Sequence, residues 1–479
     1  MAFKDNRDFI EVLSKTGDVV PIKQEIDWDL EVGAIVRKAN ERREAAPFFE
    51  KIKDYPDGFR IFGSPLATER RLAVSMGLSP DSTGLLRNIQ EEYERRVRSR
   101  IKPVVVSKAS CKENVLVGDD VDLFLFPAPM IHEGDGGRYL GSWHMVITRD
   151  LDSDWVNWGM YRLMVYNRRI LTSICESYSH LHAIKAKYEY QKRPMPVAIA
   201  IGADPISSFA AATQLGIGRS EADFASALRQ EPVELIKCET NDLFVPAHAE
   251  IVLEGELVQG TKIAEGPFGE YTGYRSNPRE RQIAYKINAI TYRNNPIVTM
   301  SCMGMPVDDS AIVVGLTTQS AIKRHLQRHG VPVTNVYVPP ETGSYLVIVG
   351  VKPNYCNTAS VIANTIFSTS RATFKVIIVD ADVDVFDLNQ VLHAFATKCH
   401  PVRGIRVSDR EASTQLTPYL SADEKKWRKG ASVAFDCTWP FEWSKESEVP
   451  VRISFEEAYP EEVKQKVTQN WTTYGFRRS

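Results

Sequence analysis

AEGPFGEYTGY, residues 264–274, can form neither a regular helix nor a good strand. Pro267 lacks a backbone donor, and Gly266, Gly269 and Gly273 weaken either state. The segment therefore reads as a tight turn carrying two acids, Glu265 and Glu270, five positions apart. Such a turn can bring both carboxyls into one cavity. Neighbouring carboxylates there push one pKa up, which yields a protonated acid beside an ionised partner. A surface turn that happens to carry two acids has the same spacing, so spacing alone leaves both readings open.

Outward from the turn, the middle third of the chain is rich in strands. AEIVLEGEL (249–257) alternates, with Ala249, Ile251, Leu253 and Leu257 on one face and Glu250, Glu254 and Glu256 on the other. IAYKINAITYRN (283–294) predicts another long strand, and the apolar run VAIAIG (197–202) predicts a buried one. PVVV (103–106) opens this β-rich stretch. The first hundred or so residues read as mixed α/β, with a helix over 30–45 and a solvated helix end at EEYERRVRSR (91–100). From Ser310 the rhythm is helix, strand, helix. A helix over 310–330 ends on Gly330, strands YLVIVGVK and FKVIIVD flank the helix TASVIANTIFS, and the helix LNQVLHAFATKC follows. In the tail, Val463, Val467, Trp471 and Tyr474 fall on one helical stripe that needs a docking surface.

Composition narrows the function classes. The chain has 479 residues, enough for about three domains. Its 59 Lys and Arg balance 61 Asp and Glu, so a polyanion-binding protein with a basic excess is not expected. No apolar run is long enough to span a membrane, and MAFKDNRDFIEV lacks the apolar core of a presequence. A soluble, cytoplasmic protein is expected, with no nucleic-acid or membrane partner. The seven cysteines are odd in number and widely spaced, which fits reduced thiols rather than a disulfide framework or a zinc knuckle.

Most chemical signatures are incomplete. GIGRSE (216–221) lacks the third glycine of a dinucleotide loop, and DGGRYLG (135–141) has no P-loop lysine and reads as a turn. The series Asp380, Asp382, Asp384 and Asp387 has Val385 and Val391 where a calcium loop requires Gly and Glu. His325 and His329 lack the glutamate of a zinc protease, and His180 and His182 alone are weak evidence for a metal. WVNWGMYRLMVY (155–166) is more informative. A buried Arg162 there needs an anionic partner, and Glu265 or Glu270 would serve.

Asn157-Trp158 followed by Arg162, then His180, IKCETNDL, and EGPFGE with Gly273-Tyr274 together resemble the UbiD family of decarboxylases dependent on prenylated flavin mononucleotide. The likeness runs from RDFIEVL and EIDWDLEVGAI through CKENVL, DGGRYLG, EIVLEGEL and ITYRNN to AYPEEVKQKVTQNW. It is strongest toward the ferulic (phenylacrylic) acid branch. The resemblance implies an α+β and α/β multidomain fold. Its units are an N-terminal α/β unit (1–110), a split β-barrel that binds the cofactor (111–308), a C-terminal α/β oligomerisation domain (309–455) and a final amphipathic helix (456–479) reaching across a homodimer.

The same resemblance implies reversible, non-oxidative decarboxylation of an aromatic, heteroaromatic or α,β-unsaturated acid through a covalent prenylated-flavin adduct. The prenylated FMN is supplied by a flavin prenyltransferase. Arg162, Glu265 and Glu270 match the catalytic network, with Glu270 as proton donor and Glu265 holding Arg162. Asn157, His180 and Glu221 match ligands of a divalent ion, usually Mn²⁺, and His182 is left as a packing residue. Trp158, Ala210, Ala211 and Thr213 match a monovalent site, usually K⁺. Gly159, Met160, Tyr161 and Ser179 complete the expected cofactor cradle. Tyr161, Ser179, Tyr271, Ser310, Val314, Trp439 and Phe441 are the expected pocket walls. Gly159-Met160-Tyr161 replaces a smaller Ser-Ile-Ala run, Ser179 a glutamine, Tyr271 a methionine, and Asn389 a lysine that contacts the cofactor. A flavin oxidoreductase on the same barrel is the competing reading, and it leaves Glu270 and the metal trio without a purpose.

Overall fold

The computed structural model describes residues 2–275, 280–305, 307–369, 373–411 and 416–477. Four sheets with flanking helices make a mixed α/β multidomain fold. The N-terminal sheet joins Val19–Ile26, Ala46–Ile52, Arg60–Gly63 and Ile297–Met300. Its fourth strand comes from the end of the central segment and pairs parallel with Arg60–Gly63. A three-stranded sheet holds Val104–Val105 against Glu234–Lys237, and a five-stranded sheet organises the C-terminal domain.

The nine-stranded central sheet is antiparallel at every pairing, and its connections decide its shape. Its main path runs Tyr139–Gly141, Leu163–Asn167, Ile170–Ser173, Glu280–Tyr292, Ile251–Glu265, Met195–Ile201, His144–Arg149 and Val156–Gly159. Val156–Gly159 thus lies at one end and Leu163–Asn167 near the other, yet only Met160, Tyr161 and Arg162 separate them in sequence. Four peptide steps reach roughly 14 Å at most. The sheet must therefore curl until its ends face one another. The two-residue link from Gly141 to His144 closes the same seam. This curl places Arg162 at the seam between the two ends of the sheet.

Most elements fall where the pattern predicts them. The long strands are Met195–Ile201, Ile251–Glu265 and Glu280–Tyr292, and the linker helix spans Asp309–Arg328 with Gly330 at φ +73°. The helix expected over 30–45 stops at Glu41 because Arg43 turns the chain at φ 53° and Ala46 starts a strand. Of PVVV, only Val104 and Val105 form a strand. The polar face of 249–257 is not solvated: Glu250 and Glu254 are fully buried. Glu250 is neutralised by Arg7 and Arg293, and Glu254 by Lys112 together with the Glu239 and Thr240 amides. The final helix covers only Glu461–Gln469. Trp471 and Tyr474 lie beyond it, and Trp471 stacks on Phe476 at 4.2 Å instead of continuing a stripe. No helix among the described residues is long and apolar enough to cross a membrane.

Candidate active site

Strand Ile251–Glu265 delivers Glu265 at its last residue, and the glycine-rich turn begins at once. Gly266 takes φ +72°, a conformation few other residues tolerate, so the chain can leave the strand sharply. Arg162, from the seam, enters the same space. Its Nε and Nη2 donate to Glu265 Oε1 and Oε2 at 2.8 and 2.7 Å, a bidentate pair, while Nη1 bonds Glu270 Oε1. The Tyr139 hydroxyl donates to Glu265 Oε1 at 2.9 Å. All three charged side chains are buried or nearly so, at 10%, 2% and 7% exposure for Arg162, Glu265 and Glu270. Phe268, fully buried within the turn, lies under the guanidinium at 5.1 Å and against Tyr139 at 4.4 Å.

Arg162 therefore satisfies the need for an anion by taking both carboxylates. Burial opposes its charge, but Glu270 and Glu265 more than offset this and hold the guanidinium above its ordinary pKa. Burial and the adjacent Glu265 push the Tyr139 hydroxyl far up, so it stays a neutral phenol that donates to Glu265. The two acids do not simply repel each other across a cavity, as paired carboxylates alone would. One shared cation binds both.

On the facing seam, Asn157, Trp158 and Gly159 occupy the edge strand. His180 opens a helix, His180–Tyr190, whose N-cap is Ser179. The Ser179 hydroxyl accepts from the His182 amide and donates to the Glu176 carbonyl. His180 Nδ1 lies 3.0 Å from Asn157 Oδ1, and burial lowers the His180 pKa. Glu221 starts another helix, and its Oε2 accepts from the Trp158 amide at 2.9 Å; burial raises its pKa to about 7. The three expected divalent ligands are thus brought together around residues 157–158. Among the described residues no trio of His, Cys, Asp and Glu converges, since the third member here is an amide.

Trp158, Ala210 and Ala211 share one core cluster, and Thr213 bonds back to the Ala210 and Phe209 carbonyls at the end of helix Pro205–Ala211. Tyr161 lies against Gly159, where an added Cβ would come within 2.4 Å of the ring, and its hydroxyl accepts from the Leu181 amide. Burial pushes the Tyr161 hydroxyl up to about 12. Met160 packs on the neighbouring core.

The remaining expected pocket residues divide between two places. Burial, with the phenols of Tyr345 and Tyr178, raises Tyr271 well above its ordinary pKa, and the Tyr271 carbonyl lies beside Gly343 of the C-terminal domain, 3.4 Å from where a Cβ there would sit. Ser310 and Val314 are half-buried, one turn apart on the linker helix. Trp439 stacks on Trp443 and carries Lys398 Nζ 5.0 Å over its ring, and Phe441 is exposed. Asn389 is exposed in the first turn of helix Leu388–Lys398.

Residues that motif reading did not single out complete the site. Tyr139 holds Glu265. His144, whose pKa burial lowers to about 4, is the neutral partner of the Tyr161 carbonyl across the seam. Asp135 accepts from the Gly269 amide at 3.0 Å, and Gly136 donates to the Pro267 carbonyl at 2.7 Å. The one usable signal was DGGRYLG: the turn it predicts is the one that grips the acidic turn that carries Glu265 and Glu270.

The fold is that of a carboxy-lyase family. Residues 10–92, 102–306 and 311–437 match, respectively, the N-terminal, Rift-related and C-terminal domains of the UbiD family, described as 3-octaprenyl-4-hydroxybenzoate carboxy-lyase. The chain belongs to the UbiD family. It is 32% identical over 490 residues to a pyrrole-2-carboxylic acid decarboxylase of Pseudomonas aeruginosa, covering 98% of both chains. It is 30% identical over 499 residues to ferulic acid decarboxylase 1 of Saccharomyces cerevisiae, again covering 98% of both. Among solved structures, the closed form of the Sedimentibacter hydroxybenzoicus vanillic acid decarboxylase superposes with a TM-score of 0.88 at 29% identity, covering 98% of this chain and 99% of that one. An evolved dimeric UbiD-class enzyme from Pelotomaculum thermopropionicum, in complex with prFMN, matches with a TM-score of 0.80 at 25% identity over 94% and 97%.

Proposed function

We propose that this chain decarboxylates, reversibly and without net oxidation, an aromatic, heteroaromatic or α,β-unsaturated carboxylic acid, using prenylated FMN, with Glu270 as the proton donor. The observation that carries the reading is the single buried guanidinium of Arg162 shared by Glu265 and Glu270 at the barrel seam. Losing CO₂ from an unsaturated carbon leaves an electron pair that no side chain can delocalise; bound prenylated FMN supplies that electron sink.

The residues fit the group. Asn157 Nδ2 is buried without a hydrogen-bond partner among the described residues, a polar atom that a bound phosphate or flavin would satisfy. An amide oxygen, an imidazole kept neutral by burial and a carboxylate form a donor set suited to Mn²⁺. Asn157, His180 and Glu221 would hold that ion. Trp158, Gly159, Met160, Tyr161, Arg162 and Ser179 would line the cofactor, and carbonyls around Trp158, Ala210, Ala211 and Thr213 would take K⁺.

Electrostatics separates the two acids. Two carboxylates and one guanidinium carry a net charge of −1, so the site can take one proton and become neutral. Glu265 already accepts three hydrogen bonds, two from Arg162 and one from Tyr139. We therefore assign the proton transfer to Glu270. Burial keeps water from competing as donor. Tyr271 and Tyr161 make the pocket bulkier and more polar, which favours a hydroxylated or heteroaromatic acid. A flavin oxidoreductase would give the Arg162–Glu265–Glu270 group no task.

A flavin prenyltransferase would supply the cofactor, and the seven free cysteines fit a reducing, cytoplasmic setting. The exposed Val451, Ile453, Trp471, Tyr474 and Phe476 support a homodimer assembled through the tail. Replacing Glu270 by Gln tests the central role: turnover falls by about 10²-fold or more with cofactor still bound. Turnover within a few fold of the parent would exclude Glu270 as proton donor.

A further inference from the structure

We propose that the His132–Asp135 pair is a positioning device that holds the 266–270 turn so that Glu270 stays within reach of Arg162 and the substrate. This rests on the reading of Glu270 as proton donor. Asp135 has no exposed side-chain surface, and its carboxylate is fully committed. Oδ2 accepts from the His132 amide and from His132 Nδ1, both at 3.1 Å, while Oδ1 accepts from the backbone N–H of Gly269, the residue directly before Glu270.

The imidazole is pinned at both ends. Nδ1 faces the Asp135 carboxylate, and Nε2 faces the Met303 carbonyl at 2.9 Å. Both partners are acceptors, so both ring nitrogens carry protons and His132 is an imidazolium. Burial opposes that charge, but Asp135 and Cys302 outweigh it and raise the pKa to about 10. The result is an ion pair that meets the turn on one side and Met303 on the other. Cys302 and Val307 are themselves tied to helix Glu31–Glu41, since Arg37 donates to their carbonyls at 2.7 and 2.8 Å.

The fit around the pair leaves little slack. A Cβ on Gly269 would lie 2.5 Å from His132 Nδ1, and one on Gly136 would lie 2.0 Å from the Gly266 carbonyl oxygen. One on Gly33 would lie 2.0 Å from the Ile131 carbonyl oxygen, so helix Glu31–Glu41 packs directly behind His132. Residues 131–136 are therefore clamped between that helix and the catalytic turn. The pair acts on the Arg162–Glu265–Glu270 group through the Gly269 amide.

The test is a double-mutant cycle on cofactor-loaded enzyme, using Asp135→Asn, Glu270→Gln and the double variant, with CO₂ release followed in single turnovers and flavin occupancy read by absorbance. Asp135→Asn alone is expected to lower the rate about 10- to 100-fold, with KM within about threefold and occupancy unchanged, as a small misplacement of a catalytic group does. In the Glu270→Gln background it should add less than about twofold, because the group it positions is already gone. An equal loss in both backgrounds, or a single-variant rate within twofold of the parent, would overturn the positioning role. Full turnover by Glu270→Gln alone would instead overturn the proton-donor reading itself. His132→Gln, which keeps a donor toward Met303 and leaves the Asp135–Gly269 bond in place, carries the same cycle should Asp135→Asn fail to fold.

Discussion

Replacing Glu265 by Gln perturbs the site with the smallest change of shape. The carboxylate accepts three hydrogen bonds, from Arg162 Nε at 2.8 Å, Arg162 Nη2 at 2.7 Å and the Tyr139 hydroxyl at 2.9 Å. A glutamine can keep its oxygen toward Nε and Tyr139, but its NH₂ then faces Nη2, donor against donor. One charge-assisted bond is lost outright, worth about 1.5–3 kcal/mol. At about 1.36 kcal/mol per tenfold, full expression of that loss in the transition state corresponds to roughly 10- to 150-fold. The expected result is a fall in kcat/KM of that order with flavin occupancy unchanged, measured as CO₂ release by cofactor-loaded enzyme. Glu265→Asp, which keeps the charge but withdraws it by one methylene, should fall between the two. Activity of Glu265→Gln within twofold of the parent would refute the claim that Glu265 sets the position of Arg162.

Other consequences are as direct. Gly136→Ala places a Cβ 2.0 Å from the Gly266 carbonyl oxygen, so the turn must move; turnover should drop at least about tenfold, checked against unchanged far-UV circular dichroism. His180→Ala should lose Mn²⁺ and flavin together by metal analysis and absorbance, and a fully loaded variant would remove His180 from the metal site. Asp308 caps the linker helix through the Ala311 amide, and burial raises its pKa to about 7. A carboxyl raised in the folded state supports stability below its unfolded pKa and loses that support as pH climbs through about 7. Asp308→Asn, which keeps the cap, should therefore gain stability over the parent at pH 8 relative to pH 5 in urea titrations.

The sequence made the strands, the linker helix and the acidic turn legible because each has a local cause: alternation, an uninterrupted helical period ending on Gly330, and Pro267 among glycines. Arg162's need for an anion was also legible, since an arginine in an aromatic run is costly to bury alone. Which acid it took was not. Both Glu265 and Glu270 bind it, and that depends on the curl of the nine-stranded sheet, a property of strand order rather than of any one segment. Tyr139, His144 and Asp135 were hidden for the same reason, because their partners lie 126, 17 and 134 positions away in the chain. The burial of Glu250 and Glu254 went unseen because their cations come from Arg7, Arg293 and Lys112. The tail stripe failed where Trp471 found a nearer partner in Phe476.

The most direct test is to co-express the chain with a flavin prenyltransferase, identify the released cofactor by mass spectrometry, and assay the same sample for CO₂ release from a panel of aromatic, heteroaromatic and unsaturated acids. Prenylated FMN, with CO₂ released from at least one acid only when that cofactor is present, is the expected result. Unmodified flavin or none despite an active prenyltransferase, or CO₂ release that does not depend on the cofactor, would contradict it.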